Sequence, residues 1–397
     1  MLHLNRRTAL ATTLAAASVI AHRARAETAT LPFANGERPL VAYPEKRKLL
    51  VLTSRPPQLE TPFSVYGESL ITPNDAFFVR YHLSNIPTEI DPDTFRLEVK
   101  GHVAKPVSLS LAELRAMPQT EITAVHQCSG NGRGFFEPRV AGGQAGNGLM
   151  GNAKWTGIPL RTVLDRAGIK PGAVQVRFDG LDGPVADGTP DFAKAIELDH
   201  ARDGEVMLAW AMNGADLPFL NGYPLRLVVP GYFGTYWVKH LNEITVLDAP
   251  LANFWMTPAY RIPDNDCNCV EPGTAPAKTK PIGRFKVRSF ITSVESGATL
   301  KPGPQTLRGI AFDGGTGIKS VELSTDDGKT WQPTTLSADA GKYAFRGWTA
   351  PVTLSPGDAR LKVRAVSNAG ETQPVDQPWN PAGYLRNLVE TTTVRVT

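Results

Sequence analysis

Over residues 318–336, "IKSVELSTDDGKTWQPTTL", apolar and polar positions alternate on both sides of Asp326-Asp327-Gly328. That pattern predicts two short strands joined by a tight turn. "ARLKVRAVSNAG" alternates Leu361, Val363 and Ala365 with Lys362 and Arg364, and the chain closes on "TTTVRVT". Short alternating strands at this spacing predict an antiparallel β-sandwich of immunoglobulin type over residues 285–397, without the cysteine pair of an antibody domain. Upstream, "SLAELRAMP" and "LRTVLDRAG" carry the period of short amphipathic helices, the second stopped by Gly168. "TFRLEVKGHV", "EITAVHQ", "VQVRFDGLDG" and "LRLVVPGYFG" read as strands that run into glycine-containing turns. Strands and helices alternate irregularly, so residues 27–270 are read as one α+β domain. Between the two, "VEPGTAPAKTKPIG" concentrates proline and glycine without apolar periodicity, which predicts a linker over residues 271–284.

The first 26 residues follow another rule. Arg6 and Arg7 precede an alanine-rich apolar run, which ends in Ala24-Arg25-Ala26. This is the order of a twin-arginine signal peptide with a small-residue cleavage site, and the run is short for a membrane span. It predicts a periplasmic protein, exported already folded and therefore able to carry a cofactor inserted beforehand. Four arginines leave with that segment, so the formal charge of +4 falls to zero, with 38 basic and 38 acidic residues remaining. A nucleic-acid binder would carry a basic excess, so that class is excluded. With 42% hydrophobic and 20% charged residues, the chain has the composition of a globular protein that folds by packing.

Three cysteines are too few for a disulfide framework. Cys267 and Cys269, in "DNDCNCV", could form a strained disulfide, bind a metal weakly or stay free. Cys128 sits in "HQCSGNGRGFF", at the end of an apparent strand and the start of a glycine-rich loop. His126 and Arg133 are near enough to lower its pKa and make it a metal ligand; the other reading is a small buried hydrophobe. No second cysteine or histidine stands at zinc spacing. Arg80 and His82 in "TPNDAFFVRYH", Arg226 and Lys239 in "NGYPLRLVVPGYFGTYWVKHL", and Trp255 and Tyr260 in "NFWMTPAY" complete the chemistry-bearing set. Together the cations suit a phosphate or a tetrahedral oxyanion.

From about residue 60 onward these segments, with "QCSGNGR", "GLDG" and the closing "WNPAGYLRN", resemble the sulfite oxidase family of molybdenum enzymes, and within it the bacterial periplasmic sulfite dehydrogenases. The resemblance implies a molybdopterin-binding domain followed by an immunoglobulin-like dimerisation domain. It implies that Cys128 ligates molybdenum, whose other sulfurs come from the molybdopterin dithiolene. The pterin and its phosphate would be held by Phe78, Val79, Arg80, Tyr81 and His82, by Asp182 and Arg226, and by Trp237, Val238 and Lys239. Asn221, where animal members carry histidine, would join them. Arg80, Arg133 and Tyr260 would line the substrate pocket, with His82 and Trp255 close by. Vertebrate members have one more arginine after the "WN" of the closing motif; here Ala382 occupies that place, with Arg386 four residues on as its candidate substitute.

The implied reaction is oxidation of sulfite to sulfate by oxygen-atom transfer, with electrons passed to a separate c-type cytochrome. No C-x-x-C-H haem attachment motif occurs, so a haem-free subunit is expected, as a homodimer or in complex with a cytochrome subunit. Two other functions fit part of the pattern: a periplasmic methionine sulfoxide reductase, whose members lack the C-terminal sandwich, and a non-catalytic exported binding module.

Overall fold

The computed structural model describes residues 27–397, so the signal peptide expected over residues 1–26 lies outside the described residues. Five short strands open the fold as an antiparallel meander from Thr28–Thr30 to Val79–Arg80. Two sheets then enclose the main core. One is ordered Ala193–Glu197, Gln175–Gly180, Leu241–Leu247, Arg96–Gly101, Val107–Ser110. Its Leu241–Leu247 and Arg96–Gly101 strands pair in parallel, and its other pairs are antiparallel. The other sheet runs Ala215–Asp216, Met207–Met212, Met150–Pro159, Thr120–Gln127, with Arg226–Val228 also on Met207–Met212.

The helices are short and are placed by local chemistry. Ser110 caps Leu111–Arg115 through a reciprocal bond with Glu113. Leu160–Ala167 buries Leu160, Val163, Leu164 and Ala167 on one face and stops at Gly168, whose φ of 69° suits glycine. Among the described residues, no helix is long and apolar enough to cross a membrane.

The C-terminal part is a sandwich of two sheets. One is ordered Arg288–Ile291, Gly303–Phe312, Arg346–Leu354, Thr335–Leu336. The other is Thr299–Leu300, Glu390–Val396, Gly357–Ser367, Ile318–Ser324, Gln332–Pro333. The hairpin expected over residues 318–336 forms only in part. Gln332–Pro333 pairs back onto Ile318–Ser324, and then Thr335–Leu336 joins the Arg346–Leu354 strand of the opposite sheet. Thr334 N–H still donates to the Val321 carbonyl at 3.0 Å, and the chain crosses between the sheets just after it.

The expected linker is tethered at its far end. Thr279–Pro281 pairs with Arg261–Pro263, and the Ile282 N–H donates to the Tyr260 carbonyl at 2.9 Å. The two parts also share a core. Phe285, Phe290, Phe312, Tyr343 and Phe345 of the sandwich belong to the same buried cluster as Tyr66, Trp155 and Phe233. Val287, Leu323, Trp348, Leu361 and Val394 form the sandwich's own core. Cys267 and Cys269 are joined in a disulfide, which settles the three readings left open for them.

Candidate active site

Cys128 follows the last residue of the Thr120–Gln127 strand, where sheet pairing ends and the glycine-rich loop begins. Its N–H donates to the Leu149 carbonyl at 2.9 Å, and its carbonyl accepts from Asn131 N–H at 3.1 Å. The loop therefore leaves the sheet in one fixed direction. The thiol is free, half-buried, and lines a pocket.

The pocket floor is built from three elements. His126, on the same strand, lies between the rings of Trp237 at 4.6 Å and Phe78 at 4.8 Å. Gly234 closes over it: a Cβ there would stand 2.5 Å from His126 Nε2, so only glycine fits. Arg226 is fully buried, donates Nη1 to the Asn221 carbonyl at 2.8 Å and Nη2 to the Trp237 carbonyl at 3.3 Å, and stacks against Trp155 at 5.0 Å. Lys239 Nζ donates to the Arg80 carbonyl at 2.8 Å.

The electrostatics are those of an anion site. Arg80, Arg226 and Lys239 line the pocket together with one carboxylate, Asp182. Burial pushes Arg226 down to about 9 and Lys239 well below the ordinary lysine range; it pushes Asp182 up to about 6 against the pull of Lys239. The two buried cations, Arg226 and Lys239, are thus held at a cost that an entering anion offsets. Four buried polar atoms of the lining have no partner in the protein: His126 Nδ1, Ser129 Oγ, Arg226 Nε and Thr235 Oγ1. Buried polar groups are rarely left unpaired, so these mark where a polar, hydrogen-bonding ligand sits. Among the described residues, no group of three or more His, Cys, Asp or Glu could hold a metal.

Above the floor, Tyr260 and His82 form a pair, with Oη and Nε2 2.5 Å apart. Tyr260 adopts φ 56°, a left-handed backbone that costs a bulky residue energy and persists where packing over-determines it. Burial pushes the phenol well up and the imidazole well below the usual histidine range, so both are neutral at pH 7. Phe192 lies flat on His82 at 3.7 Å, and Tyr384 lies parallel to Tyr260 at 5.6 Å. Lys194, fully buried, donates to the Trp255 carbonyl at 2.6 Å and stands 5.1 Å from the Tyr260 ring.

Most of the residues singled out from sequence converge here. Cys128, Phe78, Arg80, Tyr81, His82, Asp182, Asn221, Arg226, Trp237, Val238, Lys239 and Tyr260 all line the one pocket. Four expected residues stand elsewhere. Val79 packs with Leu49, Leu59 and Tyr81 in a separate small core. Trp255 stands behind His82 at 5.2 Å and donates its indole N–H to the Pro190 carbonyl. Arg133 lies outside the lining, donating Nε to the Ala382 carbonyl at 3.2 Å with its guanidinium 5.0 Å from the Tyr384 ring.

Arg386, the candidate substitute for the arginine absent at Ala382, does not line the pocket. It is paired with Glu390, which also accepts from Arg288 at 3.2 Å. Tyr384, Phe192, Lys194, Ser129 and Thr235 were missed. Tyr384 lies inside the quoted closing motif, whereas Lys194 carries no local signal.

Comparison with known proteins agrees with this geometry. Residues 82–255 match the family model of the oxidoreductase molybdopterin binding domain, and residues 279–396 that of the Mo-co oxidoreductase dimerisation domain. The chain is 35% identical over 357 residues to the mitochondrial sulfite oxidase of Homo sapiens, covering 85% of this chain and 64% of that protein. It therefore spans under two thirds of that relative's length. It is 34% identical over 360 residues to the sulfite oxidase of Gallus gallus, with 86% and 77% covered. To that of Arabidopsis thaliana it is 30% identical over 367 residues, with 86% and 92% covered. The crystal structure of the sulfane dehydrogenase SoxCD from Paracoccus pantotrophus superposes with a TM-score of 0.74 over 96% of this chain and 94% of that one, at 24% identity, a likeness of fold. The chain belongs to the sulfite oxidase family of molybdenum enzymes. Its cofactor is accordingly molybdenum-molybdopterin, and the cationic floor with four unpartnered polar atoms fits that group.

Proposed function

We propose that this protein oxidises sulfite to sulfate in the periplasm, at a molybdenum-molybdopterin centre ligated by Cys128. The observation that carries the reading is the juxtaposition in one pocket of a free thiol, the cation of Arg80 and the Tyr260–His82 pair, above an anion-binding floor. The sulfite oxidases among its relatives support the choice of substrate.

The cofactor, when bound, supplies the oxygen-atom transfer and takes up two electrons. The chain's own residues bind and orient. Arg80 offsets the charge of the sulfite dianion, which is electrostatic preorganisation. One hydrogen bond joins Tyr260 Oη and His82 Nε2; in the Nε2–H tautomer the imidazole donates to the phenol oxygen and holds it in place, which leaves the phenol O–H to donate toward an oxyanion. Phe192 and Trp255 keep water from the far side of His82. Overall, sulfite gains one oxygen atom from water and loses two electrons, and two protons are released. The electrons pass singly to two oxidised c-type cytochromes, on a separate partner, since this subunit is read as haem-free.

The test is elemental analysis and a sulfite assay with an artificial one-electron acceptor on the purified, exported chain. About one molybdenum per chain and sulfite-dependent reduction are expected. A chain without stoichiometric molybdenum that leaves the acceptor oxidised would overturn the reading and favour an exported binding module.

A further inference from the structure

We propose that Lys46 is a positioning residue of the cofactor pocket, holding the Asn221 amide so that it presents an N–H, and not its oxygen, to the phosphate of the cofactor. The inference rests on the molybdopterin reading above. It adds a residue from the N-terminal meander, ahead of the molybdopterin-domain match that begins at His82.

Lys46 is 6% exposed, and its ammonium donates to the Asn74 carbonyl at 2.6 Å and to Asn221 Oδ1. Among the described residues, no carboxylate forms a salt bridge with it. The two nearest by charge are engaged elsewhere: Asp75 with Arg47 at 2.9 Å, and Glu45 with the Phe219 N–H at 2.9 Å. Burial drives the Lys46 ammonium down to about 7. A buried cation without an acid is costly, and an anion nearby restores its charge.

An ammonium has three N–H donors and no acceptor. Asn221 must therefore turn its oxygen toward Lys46 and its nitrogen away. The Phe78 carbonyl selects the same orientation from the other side, accepting one N–H of Asn221 Nδ2 at 3.0 Å. The second N–H remains, on a residue that lines the pocket beside Arg226 and Lys239. Donation from Lys46 to the amide oxygen also polarises the amide and strengthens that remaining donor. The amide itself is neutral, and Lys46 supplies the positive charge behind it.

The test uses full-length chain, prepared with cofactor and, from a host that makes none, without it. Lys46→Met should retain the cofactor less well. Molybdenum and pterin should leave it about tenfold faster than the wild type on dialysis, the loss of roughly one charge-assisted contact. The melting temperature of the cofactor-free variant should equal or exceed that of the wild type, since a buried unpaired ammonium has been removed. The gap between the two forms should shrink, because the stabilisation a ligand confers grows with the logarithm of its affinity. Release at the wild-type rate with an unchanged gap would overturn the proposal. So would equal loss of stability in both forms, which marks a residue of structural importance only. If the methionine variant is insoluble, Lys46→Gln is judged by the same criteria. If the wild type itself holds no molybdenum, it is the cofactor reading that fails, before any variant is measured.

Discussion

Cys128 and Arg80 in the pocket lining and Lys194 behind Tyr260 are three kinds of residue, and each carries its own prediction. Cys128→Ser should leave a folded chain with normal melting and no sulfite turnover, because a serine oxygen replaces the thiolate donor poorly. Arg80→Gln should raise the sulfite KM by about one to two decades, since a charge-assisted contact is worth roughly 1.5–3 kcal/mol; steady-state kinetics reads this directly. Lys194 bears on pH. Burial first, and Arg261 second, lower it from 10.5 to about 7 in the folded chain. The unfolded chain therefore binds the extra proton between pH 7 and about 10.5, and folded stability rises with pH across that window. Lys194→Met removes this cost. The variant should melt higher than the wild type at pH 7, by an amount on the order of 2–4 kcal/mol before the lost Trp255 bond is deducted. The advantage should close toward pH 10, and equal differences at both pH values would contradict it.

The final strand, Glu390–Val396, reaches back to the active-site loop. Glu390 pairs with Arg386 and Arg288, and Arg288 donates onward to Gln127 Oε1 at 3.3 Å and Asn147 Oδ1 at 2.9 Å. Gln127 also accepts from Asn131 at 3.3 Å, so the cluster grips the chain on both sides of Cys128. A Cβ on Gly132 would meet Arg386 at 2.9 Å, which is why the loop needs glycine where that arginine crosses. Glu390→Gln would leave two buried guanidinium groups without an anion, at a cost of about 3–5 kcal/mol. Denaturant unfolding should report that loss, and a change under 1 kcal/mol would mean the cluster is not the clamp it resembles. At this scale the sequence was legible where pattern is local. The alternation of "EITAVHQ" and the Gly168 stop are both seen, whereas the crossing after Thr334 depends on which sheet lies opposite.

The whole molecule behaves as two parts with one shared core. Phe63 meets Phe290 at 5.5 Å, Tyr66 meets Phe345 at 6.2 Å, and Phe233 meets Phe285 at 5.8 Å, each across the boundary between the parts. A chain ended after Arg284 loses every sandwich partner of these rings, and should be recovered as insoluble protein. Soluble, cofactor-loaded truncated chain would show that the sandwich is dispensable for folding. The full-length protein, read as a homodimer from the dimerisation-domain match, should scatter light at about twice the chain mass, and a monomer would sink that reading. If charge steers the cytochrome encounter, its rate should fall with ionic strength, as screening shortens the reach of surface charges to about 8 Å at physiological salt.

Read alone, the sequence determined what depends on neighbours along the chain. It located the strand that delivers Cys128, the glycine loop after it, and the motifs that mark the family. These are legible because strand alternation, turn chemistry and motif spacing act over a few residues. The tertiary structure decided which cation does what. Lys46 meets Asn221 across 175 residues, Lys194 reaches Trp255 across 61, and Arg133 donates to Ala382 across 249. An arginine four residues from Glu390 reads from sequence as a free candidate for the substrate, and only the fold shows that Glu390 neutralises it. Long charged side chains have no periodic signature of their own; burial and the nearest opposite charge set their roles, and both arise only when distant segments pack.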